Sequence, residues 1–201
     1  MKLFYSPGAC TLSPHITLRE LQLPFELVKV DLATKTEETG VSYWTHNPKG
    51  YVPALLLDNG ELLTEGPAIV QYLADLVPEK KLAPANGTME RYRLQEMLNF
   101  ITSELHKGMG VMFKPQLPAD WRVVVVETLG KRMDFLSNKL GGKSWLMGET
   151  FTVADAYLFT VLRWSELLKF DMSAWPELNK YVARVAARPA VQDALKAEGL
   201  A

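Results

Sequence analysis

The sequence predicts an α/β domain followed by an all-helical one. Three observations carry this. Residues 1–77 mix strand-like and helix-like patterns in the order β-α-β, then β-β-α. Residues 78–87, running from Pro78-Glu79-Lys80-Lys81 to Asn86-Gly87, are rich in charge and turn residues and read as a linker. From Thr88 onward, nearly every segment spaces its apolar residues as a helix does, which makes 88–201 an all-helical domain.

The elements follow in order. Leu3, Phe4 and Tyr5 make a brief buried strand over about 2–5, and Pro7-Gly8 is a turn. A helix follows to about Glu20 or Leu21, with Thr11 or Ser13 as its cap and Pro14 in its first turn. Phe25, Leu27 and Val30 alternate with Glu26 and Lys29, as in a strand. Ala54-Leu55-Leu56-Leu57 is a buried strand, Asp58-Asn59-Gly60 a hairpin turn, and residues 61–64 the returning strand. Pro67 to Leu76 is a helix. A βαβ unit followed by a hairpin and a helix is the thioredoxin-like arrangement. Helices are expected over about 88–113, 119–140, 153–169, 176–187 and 190–197. Phe151-Thr152-Val153-Ala154-Asp155 has the form of a capping box, with Thr152 as cap and Asp155 three residues on, and is assigned to folding.

Composition excludes several functions. With 48% hydrophobic and 22% charged residues, the chain can build a substantial core and is not a disordered tract. A net charge of −1 gives no support for nucleic-acid or anionic-membrane binding. Cys10, the single cysteine, can form no internal disulfide, which favours a reducing cytoplasmic setting. No signal peptide and no membrane span are expected, since no apolar run approaches ~20 residues. No metal-ligand set and no Ser-His-Asp arrangement stands out.

Cys10 is the most informative residue. It lies where a strand gives way to a helix, so amide donors and the helix dipole would favour its thiolate. The alternative is a small buried filler. Cys10-Thr11-Leu12-Ser13 lacks a second, resolving cysteine, so a redox cycle would need an external thiol. Val52-Pro53 stands directly before a strand, which makes Pro53 a candidate cis proline; the alternative is an ordinary trans bond. Thr64-Glu65-Gly66-Pro67 opens a helix whose amides could hold a carboxylate while Glu65 meets an ammonium; equally, Glu65 could be a plain helix-start acid. Asn99, Ser103 and His106 fall at i, i+4 and i+7 and share one helix face, as a solvated stripe or as a cleft wall. His106 could donate to a sulfur, and Lys107 adds positive potential. His15 and His46 have no comparable company and read as ordinary residues. Met109, Met112, Phe113 and Trp164 are weak candidates for an apolar substrate pocket, since such side chains at helical spacing more often form core.

Taken jointly, these segments resemble the glutathione S-transferases, specifically the bacterial beta class, over essentially the whole chain. The marks are Tyr5-Ser6-Pro7-Gly8-Ala9-Cys10, Asn47-Pro48-Lys49-Gly50-Tyr51-Val52-Pro53-Ala54-Leu55, Leu63-Thr64-Glu65-Gly66, Glu104-Leu105-His106-Lys107 and Phe151 to Tyr157, in this order and spacing. The resemblance implies a homodimeric detoxification enzyme that conjugates glutathione, its co-substrate, to hydrophobic electrophiles, with no metal. It implies that Cys10 lies beside the glutathione sulfur, that Val52 pairs with the cysteinyl backbone, and that Glu65 and the Gly66 backbone hold the γ-glutamyl end. Lys35 would approach the glycine end, and Asn99, Ser103 and His106 would close the cleft. Some relatives carry Ser or Thr in place of Gly66, where here only the backbone can serve, and a polar amide often stands in place of Tyr51. Two rival readings use the same fold: a glutathione-dependent thiol transferase or peroxidase working through a Cys10 mixed disulfide, and a non-catalytic binding protein.

Overall fold

The computed structural model describes all residues, Met1–Ala201, as two compact units. The first comprises Met1–Lys80 together with Arg188–Ala201, and the second Lys81–Ala187. The return of residues 188–201 to the first unit differs from the single helical tract expected over 88–201. Its physical cause is a set of buried polar contacts described below.

The first unit is built on a five-stranded sheet in the order β3-β2-β1-β4-β5. β1 (Lys2–Tyr5) pairs parallel with β2 (Glu26–Asp31) and antiparallel with β4 (Ala54–Leu56), which pairs antiparallel with β5 (Leu62–Thr64). β3 (Thr36–Glu37) is a short edge against β2 that the sequence pattern does not announce. Parallel β1 and β2 require a crossover, which α1 (Leu12–Leu21) supplies. α2 (Gly66–Leu76) follows β5. Phe4, Val30, Tyr43, Val52 and Ala54 form one buried cluster beneath the sheet.

In the second unit α3 (Met89–Phe100) continues through a π-helical stretch, Ile101–His106, into α4 (Lys107–Met112). α5 (Ala119–Leu140) is the long helix, ended by Gly141 at φ 46°. α6 (Val153–Leu162) is buried at every position. α7 (Trp164–Leu168) is distinct from it, so the single helix expected over 153–169 is broken at Arg163. α8 (Pro176–Ala186) completes this unit. The capping box forms: Asp155 accepts from the Thr152 amide at 2.8 Å and the Thr152 hydroxyl at 3.1 Å. The same carboxylate accepts from the Leu146 amide at 2.7 Å and the Tyr181 hydroxyl at 2.9 Å.

α9 (Pro189–Ala197) belongs to the first unit and packs on α1. It ends in a Schellman turn: the Leu200 amide donates to Leu195 at 2.8 Å and the Gly199 amide to Lys196 at 3.1 Å, with Gly199 at φ 69°. Arg188 donates to both oxygens of Glu20 at 2.6 and 2.9 Å, tying the start of α9 to α1. No helix is long and apolar enough to cross a membrane.

Candidate active site

The thiol segment is a sequence of tight turns. The Ala9 amide donates to Ser6 at 3.0 Å, and with Pro7 and Gly8 (φ 72°) between them this is a type II turn. The Leu12 amide then donates to Ala9 and the Ser13 amide to Cys10, so the chain winds directly into α1. Two expectations change here. Neither Thr11 nor Ser13 caps the helix: Thr11 sits at helical dihedrals (φ −62°, ψ −22°), from which its hydroxyl cannot turn back onto the first amides, and both hydroxyls are buried without a hydrogen bond. The amides of Leu12 and Ser13 are bonded to the preceding carbonyls, so they are not available to the sulfur.

Cys10, partly exposed, donates its thiol to the Val52 carbonyl at 3.2 Å. The Val52-Pro53 peptide is cis. Its approach is built by Asn47, whose amide group donates to the Tyr51 carbonyl at 2.8 Å while its oxygen accepts from the Lys49 amide at 3.1 Å. Tyr43 donates to the same Tyr51 carbonyl at 2.8 Å, and Lys35 reaches the Gly50 carbonyl at 2.9 Å. Burial pushes the Tyr43 phenol up, which keeps it a donor. Gly50 needs its φ of 65° and its missing side chain, since a Cβ there would stand 2.5 Å from the Trp44 ring.

The next step along this row is α2. A Cβ on Gly66 would lie 3.7 Å from the Pro53 ring, so the first residue of α2 abuts the segment that accepts the thiol. Glu65 holds φ 69°, ψ 112°, an unusual conformation for a residue with a side chain. Its carbonyl accepts the Ala68 and Ile69 amides at 3.0 Å, and its carboxylate pairs with Lys49 at 2.9 Å. Lys49 also donates to the Thr64 hydroxyl at 3.0 Å. Sequence reasoning passed over Lys49, though it stood inside the quoted Asn47-Pro48-Lys49-Gly50 turn.

In the second unit the three-residue stripe is altered by the π-helix. π-winding advances less per residue than an α-helix, so the i, i+4, i+7 relation does not hold one face. Asn99 and Ser103 remain exposed, with the Ser103 hydroxyl donating to the Asn99 carbonyl at 3.1 Å. His106 turns inward: its Nδ1 lies 2.7 Å from the Tyr157 hydroxyl, and its ring stands edge-on to Trp164 at 4.9 Å. Burial first, then Lys107, lowers its pKa to about 4, so the imidazole is uncharged at neutral pH. The Tyr157 hydroxyl takes up Nδ1, which leaves Nε2 as the ring nitrogen it does not engage; where the phenol is the donor of this bond, the ring proton is on Nε2. Met109, Met112 and Trp164 are core side chains; only Phe113 of the weakly expected pocket residues is exposed, edge-on to Trp164.

A separate open cavity of about 500 Å³ lies beside Ser6, with Lys29, Asp31, Thr34, Glu37 and Glu38 on its walls. Three carboxylates against one ammonium make it a poor receptor for an anion.

Comparisons with known proteins bear on the family and the fold. Residues 8–76 match the model described as glutathione S-transferase, N-terminal domain, and residues 100–189 the C-terminal domain model. The chain is 50% identical over 200 residues to the glutathione S-transferase GstA of Escherichia coli O157:H7, covering 100% of both. It superposes on a sphingomonad glutathione S-transferase complexed with glutathione with a TM-score of 0.95 at 48% identity, and on the bacterial beta class enzyme of Sphingomonas chungbukensis with 0.96 at 49%. Both alignments cover 100% of each chain.

Proposed function

The chain belongs to the glutathione S-transferase family, with glutathione as its co-substrate, and from that premise we propose how its residues divide the work. The reading rests on one row of atoms in the first unit. The Cys10 thiol meets the Val52 carbonyl, and Pro53 meets the N-terminus of α2, where Glu65 and Gly66 stand. An extended tripeptide fits such a row. Its cysteinyl backbone would pair with Val52, which brings its sulfur to Cys10. Its γ-glutamyl ammonium would meet Glu65, and its carboxylate the first amides of α2. Lys49, already paired with Glu65, adds a cation for the same carboxylate. Lys35 would serve the glycine carboxylate.

The thiol of bound glutathione must ionise to attack an electrophilic carbon: the S–C bond forms as the leaving group departs with its electron pair. Cys10 and the Nε2–H of uncharged His106 are the proposed donors to the thiolate. Asn99 and Ser103 would offer polar contacts, and Phe113, backed by the buried Trp164, an exposed apolar surface for the electrophile. The protein is read as a cytoplasmic homodimer. Isothermal calorimetry with glutathione, followed by conjugation of an aryl halide, tests this reading. Binding and turnover are expected; no heat at millimolar glutathione would overturn it.

The partial exposure of Cys10 supports a second activity, reduction of glutathionyl mixed disulfides. Paired assays on Cys10→Ala separate the two: redox activity should disappear, while conjugation should be lowered but not abolished, since His106 remains as a donor.

A further inference from the structure

The first unit holds a buried polar chain that neither the thiol nor the tripeptide row uses. The Arg19 Nε–H donates to His15 Nε2 at 2.8 Å. Because Nε2 accepts, the ring proton of His15 is on Nδ1, and it is donated to Glu198 Oε1 at 2.8 Å. The other carboxylate oxygen, Oε2, accepts the Gly8 amide at 2.9 Å. The His15 and Glu198 side chains are both fully buried. Two donors point the same way, Arg19 to His15 and His15 to Glu198, while the Gly8 amide meets the same carboxylate from the other side, and the positive Arg19 compensates the buried negative Glu198 through a neutral ring.

The far end of this chain matters. Gly8 is the third residue of the type II turn, and in such a turn its amide points outward, away from the turn's own hydrogen bond. Glu198 takes up that outward amide two residues before Cys10. The Schellman turn ending α9 places Glu198 there and lays the Leu200 side chain against Gly8, 3.6 Å from where a Cβ would stand. Helix α9 is thus held to α1 by Arg188 and Glu20, and its last turn is held to the thiol segment by Glu198.

We propose that Glu198 is a positioning residue for the nucleophile segment: through His15 and Arg19 it fixes the Pro7-Gly8 turn and hence the direction in which the Cys10 sulfur points. The proposal deepens the glutathione-site reading, and its test needs no glutathione. Glutamine cannot replace this carboxylate. Its amide presents one acceptor where two donors converge, and reversing the His15 tautomer would set Nε2–H against the Arg19 N–H.

The experiment compares Glu198→Gln with Arg188→Ala, a variant that removes the other anchor of α9 and leaves the Gly8 contact in place. Two quantities are read in the ligand-free protein: the rate of Cys10 alkylation by iodoacetamide, and deuterium exchange at the Gly8 amide by NMR. Glu198→Gln should speed alkylation roughly fivefold, the factor that one ordinary lost hydrogen bond gives, and abolish Gly8 protection. Arg188→Ala should lower the melting temperature and leave both readings at the wild-type value. Equal effects from the two variants would reduce Glu198 to a structural anchor and overturn the proposal. If Glu198→Gln does not fold, the wild-type protein still decides: an unprotected Gly8 amide contradicts the proposal, and a slowly exchanging one supports it. Absence of glutathione binding in the wild type would overturn the functional reading instead and leave these two measurements standing.

Discussion

The Cys10 sulfur lies 3.2 Å from the Val52 carbonyl oxygen and donates its proton to it. The contact requires the thiol form, since a thiolate would face the partial negative charge of the carbonyl. It also occupies the carbonyl that an incoming cysteinyl backbone would use. Cys10 in the ligand-free protein should therefore alkylate more slowly than a model thiol at the same pH. Saturating S-methylglutathione, which cannot itself be alkylated at sulfur, should protect it further. A rate above that of the model thiol would contradict the assignment.

Glu65 and Gly66 make opposite predictions at the start of α2. Glu65→Gln removes the charge proposed to meet the γ-glutamyl ammonium. A charge-assisted bond of about 1.5–3 kcal/mol corresponds to a rise in KM for glutathione of roughly ten- to a hundredfold. Gly66→Ser adds a hydroxyl where a Cβ meets only the Pro53 ring, at an ordinary 3.7 Å. It should lower that KM about fivefold, one hydrogen bond's worth. Steady-state kinetics at fixed electrophile read both.

His106 gives the protein an acid-side liability. Its folded pKa is depressed from 6.5 to about 4, so the unfolded chain binds this proton first as pH falls. The stability held in the neutral ring is complete above pH 6.5 and is lost as pH drops towards 4. At ~1.4 kcal/mol per pKa unit the loss is about 3 kcal/mol. Urea unfolding between these pH values should show it, and His106→Phe should flatten the dependence by that amount. A variant whose pH dependence matches the wild type would place the liability elsewhere.

The capping carboxylate should matter more than the cap. Asp155→Ala leaves the Leu146 and Thr152 amides and the Tyr181 hydroxyl, all buried, without this acceptor, which costs about 3–5 kcal/mol. Thr152→Ala should cost about 1 kcal/mol. Denaturant midpoints that reverse this order would refute the assignment of Asp155 as the hub.

Much of this was legible in the sequence where chemistry and pattern are local. Strands β1, β4 and β5 followed from apolar runs and a hairpin turn, and the helices from apolar spacing. β3 did not, because Thr36 and Glu37 carry no apolar alternation and pair only at an edge. The π-helical stretch was hidden because Ile101 and Leu105 keep an α-like spacing, so the altered facing of His106 leaves no mark in the pattern. His15 read as an ordinary residue because its partner Glu198 stands 183 positions away. The thiol, Glu65 and the Val52-Pro53 segment were found because each sits at the junction of two elements, where turn chemistry marks the sequence. Lys49 was missed because an exposed lysine in a turn carries no signal until its partner is placed.

The most direct measurement is ultraviolet titration of the glutathione thiol on the protein, recorded as thiolate absorbance with Cys10→Ala as the control for the protein's own sulfur. The account predicts ionisation about two pH units below that of glutathione in buffer, equivalent to ~2.7 kcal/mol of preference for the thiolate. A bound thiol that titrates as it does in buffer would contradict it.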